Sequence, residues 1–296
     1  MYYKCIILIL LLFFAGANLC SSTFTYEQAL TKFYELNLKS PKPDADGRLQ
    51  TLNKKGAASA SFDYAMRKFL EFGKDKNILE IGGCYGDVML QALKQSEKTK
   101  YTLSDLDDRH IFIAAKRLFD KIQQDWLTQN STDQVKFVQA DIAKSTEVHE
   151  IGEYDAIYVG KVLHFLTPAQ FDLAIKHLFL LLNPRGRVYI TALSPYLKHF
   201  EQFIPEFERR IKAKEKNPGF IPRLRDYISI SDKTPPQIMN MIDETFLFLD
   251  PQIMREAFEY HGFHVIECRF APLTHKSKLW AHDNREYVIL IAEKVS

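Results

Sequence analysis

Ile78-Leu79-Glu80-Ile81-Gly82-Gly83-Cys84-Tyr85-Gly86-Asp87 is an apolar run, an acidic residue and a glycine-rich turn that opens onto a helical pattern. The apolar run reads as a buried strand. At a strand's carboxyl end such a turn is where open α/β sheets bind ligands, because glycine lets the backbone approach them closely. A dinucleotide fingerprint needs G-x-G-x-x-G, and neither Gly82 nor Gly83 starts one. Asp87 also sets a negative charge where a pyrophosphate needs the positive end of the helix dipole. The stretch therefore argues against a nicotinamide or flavin dinucleotide.

Outward from this turn, strands and helices alternate. The pattern predicts strands over 77–81, 100–104, 135–139, 154–159 and 187–193. It predicts helices over 87–94 and 109–126, and another from Thr167 to Leu182. Thr167-Pro168-Ala169-Gln170 combines an N-cap, proline at the first helical position and a capping-box glutamine. Alternation of this length implies a parallel sheet covered on both faces. Upstream, Phe62, Ala65, Met66, Phe69 and Leu70 form a core-facing helical stripe that Gly73 stops. Thr25 and Gln28 begin a shorter helix, and 40–55, rich in Pro, Asp, Gly and Lys, reads as a connecting loop. Downstream, 194–249 breaks the rhythm: Phe200, Phe203, Ile204, Phe207 and Ile211 predict one amphipathic helix in spite of Pro205. Asp250-Pro251 starts a further helix, and 264–270 and 285–293 read as two final strands.

The glycine-rich stretch and the segments C-terminal to it resemble the class I S-adenosylmethionine-dependent methyltransferases. Glu80, Gly82 and Gly86 meet that family's first motif, an acid followed by spaced small residues, with Cys84 replacing the middle glycine. Asp105, followed by Leu106, comes nineteen residues after Gly86, the spacing at which an acid accepts hydrogen bonds from both ribose hydroxyls. Val138-Gln139-Ala140-Asp141-Ile142 resembles the adenine-contacting segment, with Asp141 accepting from the exocyclic amine. Residues 154–166 resemble the fourth-strand segment, which implies that Gly160 lies against the methionine part of the cofactor. Leu180 to Val188 resembles the turn into the fifth strand, with Arg185 in place of a glycine, and Phe258 to Val265 the entry into a late antiparallel pair.

The resemblance spans about four fifths of the chain, in order. It implies a doubly wound, mostly parallel seven-stranded Rossmann-like sheet with N-terminal helices and a helical insert. It divides the chain into a leader (1–17), an N-terminal helix and loop (18–61) and a methyltransferase-like domain (62–296) with 194–249 as a lid-like insert. The implied cofactor is S-adenosylmethionine and the implied acceptor a small molecule, since family members use such insertions to close over substrates. Tyr196, His199 and Tyr227 are candidate substrate contacts within the insert. His164 is the candidate general base, although a histidine there commonly packs or orients the loop. Glu80 and Asp105 also suit loop caps, and Asp141 an N-cap. Methyl transfer from a sulfonium needs no metal, and no Cys or His cluster has ligand spacing. Two other functions fit the pattern: aminopropyl transfer, which needs an acidic polyamine pocket that no motif supplies, and a non-enzymatic exported or membrane-tethered binding protein retaining the fold.

Lys plus Arg (39) nearly balance Asp plus Glu (37), which predicts no nucleic-acid partner. Met1-Tyr2-Tyr3-Lys4, the apolar run Cys5 to Phe14 and Ala15-Gly16-Ala17 have the charge, length and cleavage site of a secretory signal. The expectation is a secreted or periplasmic protein; the alternative is an uncleaved anchor, the sole membrane contact, with the domain cytoplasmic. Cleavage after Ala17 leaves Cys20, Cys84 and Cys268, an odd number that suits a reducing interior better than a disulfide framework.

Overall fold

A computed structural model describes residues 22–43, 48–54, 56–59, 62–144, 152–228, 230, 234, 236–274 and 281–295. The expected leader (1–17), with Cys5, lies outside the described residues, as does Cys20. Among the described residues, no helix is long and apolar enough to cross a membrane.

In chain order the elements begin with β1 (Ser22–Phe24), α1 (Tyr26–Glu35), β2 (Arg48–Gln50), β3 (Ala57–Ser59) and α2 (Tyr64–Gly73). The alternating section holds β4 (Asn77–Ile81), α3 (Asp87–Gln95), β5 (Lys100–Asp105), α4 (Asp108–Gln123), β6 (Val135–Gln139), β7 (Tyr154–Gly160), α5 (Pro168–Leu181) and β8 (Leu182–Leu193). Then come α6 (Ile204–Lys212), β9 (Phe220–Ile221), α7 (Pro236–Met241), β10 (Phe246–Leu247), α8 (Pro251–Tyr260), β11 (Phe263–Ala271) and β12 (Tyr287–Lys294).

Local chemistry accounts for the key boundaries. The predicted start of α5 is present: Thr167 Oγ1 accepts from the Gln170 amide and Gln170 Oε1 accepts from the Thr167 amide. Asp63 caps α2 by accepting from the Met66 amide, and Asp107 caps α4 through the Arg109 amide. Strand β4 is buried from Ile78 to Ile81 because it lies inside the sheet with helices on both faces.

The main sheet runs β1-β6-β5-β4-β7-β8-β12-β11. From β6 to β8 neighbours are parallel, while β12 and β11 continue antiparallel. One face is covered by α1 to α4, whose Phe33, Phe69, Leu93 and Phe112 share a core with Tyr158 and Tyr189 of the sheet. The other is covered by α5 and α8 through Phe171, Leu178, Met254 and Phe258. The sheet has eight strands where seven were expected. The extra one is β1, which pairs antiparallel with the outer edge of β6 and covers backbone groups that would otherwise be exposed there.

The insert also departs from expectation. The helix predicted to run through Pro205 instead starts beside it: Lys198–Phe200 is a 3-10 turn, and α6 places the proline in its first turn, where no amide donor is required. Phe200, Phe203, Phe207, Phe246 and Phe248 bury together in a third apolar cluster belonging to the insert.

Candidate functional site

Strand β4 leads to β5 and β6 on one side, whereas β7 joins it on the other. The chain changes direction between β4 and β7, so a crevice is expected at their carboxyl ends, where doubly wound sheets bind ligands. Residues 82–86 follow β4 at that end. The Gly82 and Gly83 amides both donate to the Ser104 carbonyl, at 2.8 and 3.0 Å, and the Gly86 amide to the Gly83 carbonyl at 2.9 Å. Gly82 and Gly86 take φ of 72° and 76°, and Cys84 holds the same left-handed region at 47°.

Glycine serves packing here. A Cβ on Gly82 would stand 2.3 Å from Val162 Cγ2, and one on Gly86 2.9 Å from Met89 Cε and 3.1 Å from Ala114. At Gly160 it would meet the Tyr158 ring at 2.7 Å. Protein side chains fill the space on the Cβ side of these three glycines, which accounts for glycine there without a ligand.

The two acids occupy different environments. Glu80 is 4% exposed and accepts from the Tyr101 hydroxyl at 2.6 Å. Its Oε2 lies 2.9 Å from where a Gly83 Cβ would be, so it supports the turn from within. Burial pushes its carboxyl up to about 8, the Tyr101 hydrogen bond pulls it back, and the charges of Asp87 and Asp105 raise it further. Asp105, at the end of β5, is a hub. Its Oδ2 accepts from the Cys84 amide at 2.9 Å, and its Oδ1 from the Asp107 amide at 3.0 Å and His110 Nδ1 at 3.1 Å. A carboxylate offers about four acceptor positions; these three donors leave one, on Oδ2. Asp105 therefore has room for one hydroxyl, where its spacing suggested two.

Beside it, Leu106 is 64% exposed, an apolar side chain left open at the strand end. Asp141 accepts from the Ala143 amide at 2.9 Å, which fixes the turn after β6, and the buried Ile142 accepts at its carbonyl from His177 Nδ1. The Asp87 charge is met by Arg117 at 2.6 Å, which also donates to the Tyr85 carbonyl. The repulsion expected at that helix start is thus compensated within the protein.

His164 lies just past β7, 3% exposed, in a 3-10 turn, with Phe246 stacked on it at 5.7 Å. Its Nδ1 is buried without a partner among the described residues, and burial together with the Lys161 charge pushes the imidazole down to about 3. So weak a base abstracts few protons at neutral pH; the geometry gives His164 a packing role against the insert. Tyr196 and Tyr227, expected as substrate contacts, are tied within the insert: the Tyr196 hydroxyl donates to Glu208 at 3.4 Å and Tyr227 accepts from Arg210 at 2.8 Å.

Sequence reasoning missed the contacts that residues 50–52 make with Tyr85 and His110. The Tyr85 hydroxyl donates to the Gln50 carbonyl at 2.8 Å and the Leu52 amide to His110 Nε2 at 3.1 Å, so β2 and the turn after it dock beside Asp105. The only signal was a histidine five residues after the acid, which a single sequence does not distinguish from a core histidine.

Residues 79–188 match the family model described as a methyltransferase domain. No curated protein matches the chain in sequence. Among solved structures, an S-adenosylmethionine-dependent methyltransferase from Methanosarcina mazei is 14% identical, with 79% of this chain and 98% of that one covered and a TM-score of 0.53. A putative S-adenosylmethionine-dependent methyltransferase from Listeria monocytogenes is 14% identical over 78% of this chain and 96% of that one, with a TM-score of 0.51. The match to an O-methyltransferase family protein from Burkholderia thailandensis, 15% identical over 78% of this chain with a TM-score of 0.48, spans only 55% of that protein. Residues 79–188 are thus similar to a methyltransferase-domain model, and the fold is shared with S-adenosylmethionine-dependent methyltransferases, whose cofactor is S-adenosylmethionine.

Proposed function

We propose that this chain, whose residues 79–188 match a methyltransferase-domain model, transfers the methyl group of S-adenosylmethionine to a small molecule. The observation that carries the reading is Asp105, a buried carboxylate at the carboxyl end of β5, beside the switch-point strand β4, with one acceptor position unfilled beside the exposed Leu106.

The donor and acceptor set suits the cofactor. Asp105 takes one ribose hydroxyl, the exposed Leu106 offers apolar surface to the adenine while the buried Ile142 backs that segment from the core, Asp141 accepts from the adenine's exocyclic amine, and the backbone of 82–86 and Gly160 borders the methionine part. Bound there, S-adenosylmethionine supplies an already activated sulfonium methyl. The chain's task is then to hold an acceptor in line with it and exclude water. His164 serves by position, its ring fixing the loop after β7 against Phe246, and the methylated acceptor gives up its proton to solvent after transfer, as the product leaves the site. The aromatic cluster of the insert borders the same strand end through Phe246, which supports a compact, partly apolar acceptor rather than a polymer.

Titration calorimetry of the wild type with S-adenosylhomocysteine tests the cofactor, and transfer of labelled methyl to a panel of small nucleophiles tests the acceptor class. Saturable one-site binding is the expected result; its absence overturns the reading.

A further inference from the structure

Residues 40–55 looked like a connecting loop, yet β2 and β3 pair as an antiparallel hairpin, Arg48 with Ser59 and Gln50 with Ala57. Its turn is closed by the Lys54 amide donating to the Thr51 carbonyl at 2.9 Å, and it is anchored by Leu49, buried in the core on the α4 face. The hairpin touches the crevice through the Gln50 carbonyl on Tyr85 and the Leu52 amide on His110. His110 is 3% exposed and packs edge-on against Tyr85 at 5.1 Å.

These contacts fix a proton. A backbone amide can only donate, so Nε2 of His110 must present its lone pair to Leu52. In the neutral ring the proton is then on Nδ1, which stands 3.1 Å from Asp105 Oδ1 and donates to it. With the Asp107 amide this fills Oδ1 and leaves the open acceptor position on Oδ2. The Leu52 amide on Nε2 and the Asp105 carboxylate on Nδ1 favour the same tautomer and clamp the ring from both sides; if the hairpin lifts, the carboxylate still keeps the proton on Nδ1, but the ring loses the contact that fixes its position.

We propose that His110 is a positioning residue for ribose recognition. The hairpin is latched to His110 through the Leu52 amide, and the latch holds the imidazole in the position from which its Nδ1–H orients Asp105. Hairpin closure and the acceptor geometry of Asp105 form one coupled event. The inference rests on the reading that this crevice takes S-adenosylmethionine.

Leu52 is the second residue of the turn closed by Thr51 and Lys54, the position where proline is favoured. Leu52→Pro therefore deletes the donor with little demand on the backbone. It is expected to weaken S-adenosylhomocysteine binding about three- to tenfold, the equivalent of one hydrogen bond. An analogue lacking both ribose hydroxyls should bind wild type and Leu52→Pro alike. His110→Asn, whose amide can take the Nδ1 place, should keep most of the affinity, and adding Leu52→Pro to it should change nothing further. In the wild type, nitrogen NMR should find the His110 proton on Nδ1. A proton on Nε2, unchanged affinity in a folded Leu52→Pro variant, or equal losses for both ligands overturns the inference alone. A wild-type protein that binds no S-adenosylhomocysteine overturns the cofactor reading and this inference with it.

Discussion

Replacing Glu80 with glutamine has an effect whose sign and size come directly from the structure. In the folded chain the carboxyl titrates at about 8, against 4.5 for the free side chain. Below the lower value both states hold the proton and the site contributes its full stability. As pH rises the unfolded chain releases that proton first, so folding requires its uptake, and the contribution is lost progressively up to about 8. A displacement of this size is worth roughly 5 kcal/mol, at about 1.36 kcal/mol per unit. Glutamine is neutral throughout, has nearly the same shape, and keeps a carbonyl oxygen for the Tyr101 hydroxyl. Urea unfolding of the ligand-free proteins should give stabilities within about 1 kcal/mol of each other near pH 5, with Glu80→Gln more stable by several kcal/mol near pH 9. Comparing the two proteins cancels the titration of distant groups. Parallel stability curves from pH 5 to 9 would refute the argument, for they would mean that the buried carboxyl titrates alike in both states.

Asp105→Asn should weaken S-adenosylhomocysteine binding by about ten- to a hundredfold, the range for a hydrogen bond to a charged group, and unchanged affinity by calorimetry would remove Asp105 from the site. Gly86→Val should lower stability by roughly 3 kcal/mol, because the side chain meets Met89, Ala114 and Leu103 at a positive φ; a variant as stable as wild type in thermal unfolding contradicts this. His164→Leu should leave the unfolding midpoint unchanged or raised, since it deletes a buried unpartnered nitrogen worth about 1–3 kcal/mol; a marked loss would reveal a partner for it. For the leader we propose export, and N-terminal sequencing of fractionated protein should find a mature chain starting near Asn18; an intact Met1 in the membrane fraction favours the anchor.

Features that repeat locally were legible in the sequence. The central strands and the capped start of α5 arise from apolar runs, glycine turns and cap residues, all fixed within about ten positions of chain. The features that escaped depend on partners far along the chain. Strand β1 is only Ser22–Phe24, too short to show alternation, and exists because the edge of β6 offers unpaired backbone groups. The 48–59 hairpin has strands of three residues in a polar context, and its docking depends on Tyr85 and His110. Spacing located Asp105 at its strand end, but no spacing rule could say that three of its acceptor positions are taken by this protein's own donors.

That difference in donors separates the roles of two acids that the sequence treated alike. Glu80 is met by one phenol, lies under the glycine turn and is pushed towards its protonated form by burial first and by the acids near it second. A group so enclosed acts on the turn. Asp105 is met by two backbone amides and an imidazole, all donors, and they aim it while leaving one position open. A carboxylate prepared in this way loses little orientational freedom when a hydroxyl arrives, so more of the new bond appears as affinity. The two substitutions should therefore part company: Glu80→Gln should move the pH dependence of stability, and Asp105→Asn should move ligand affinity. A Glu80→Gln variant that lost affinity as steeply as Asp105→Asn, with an unaltered pH profile, would show that both acids face the ligand.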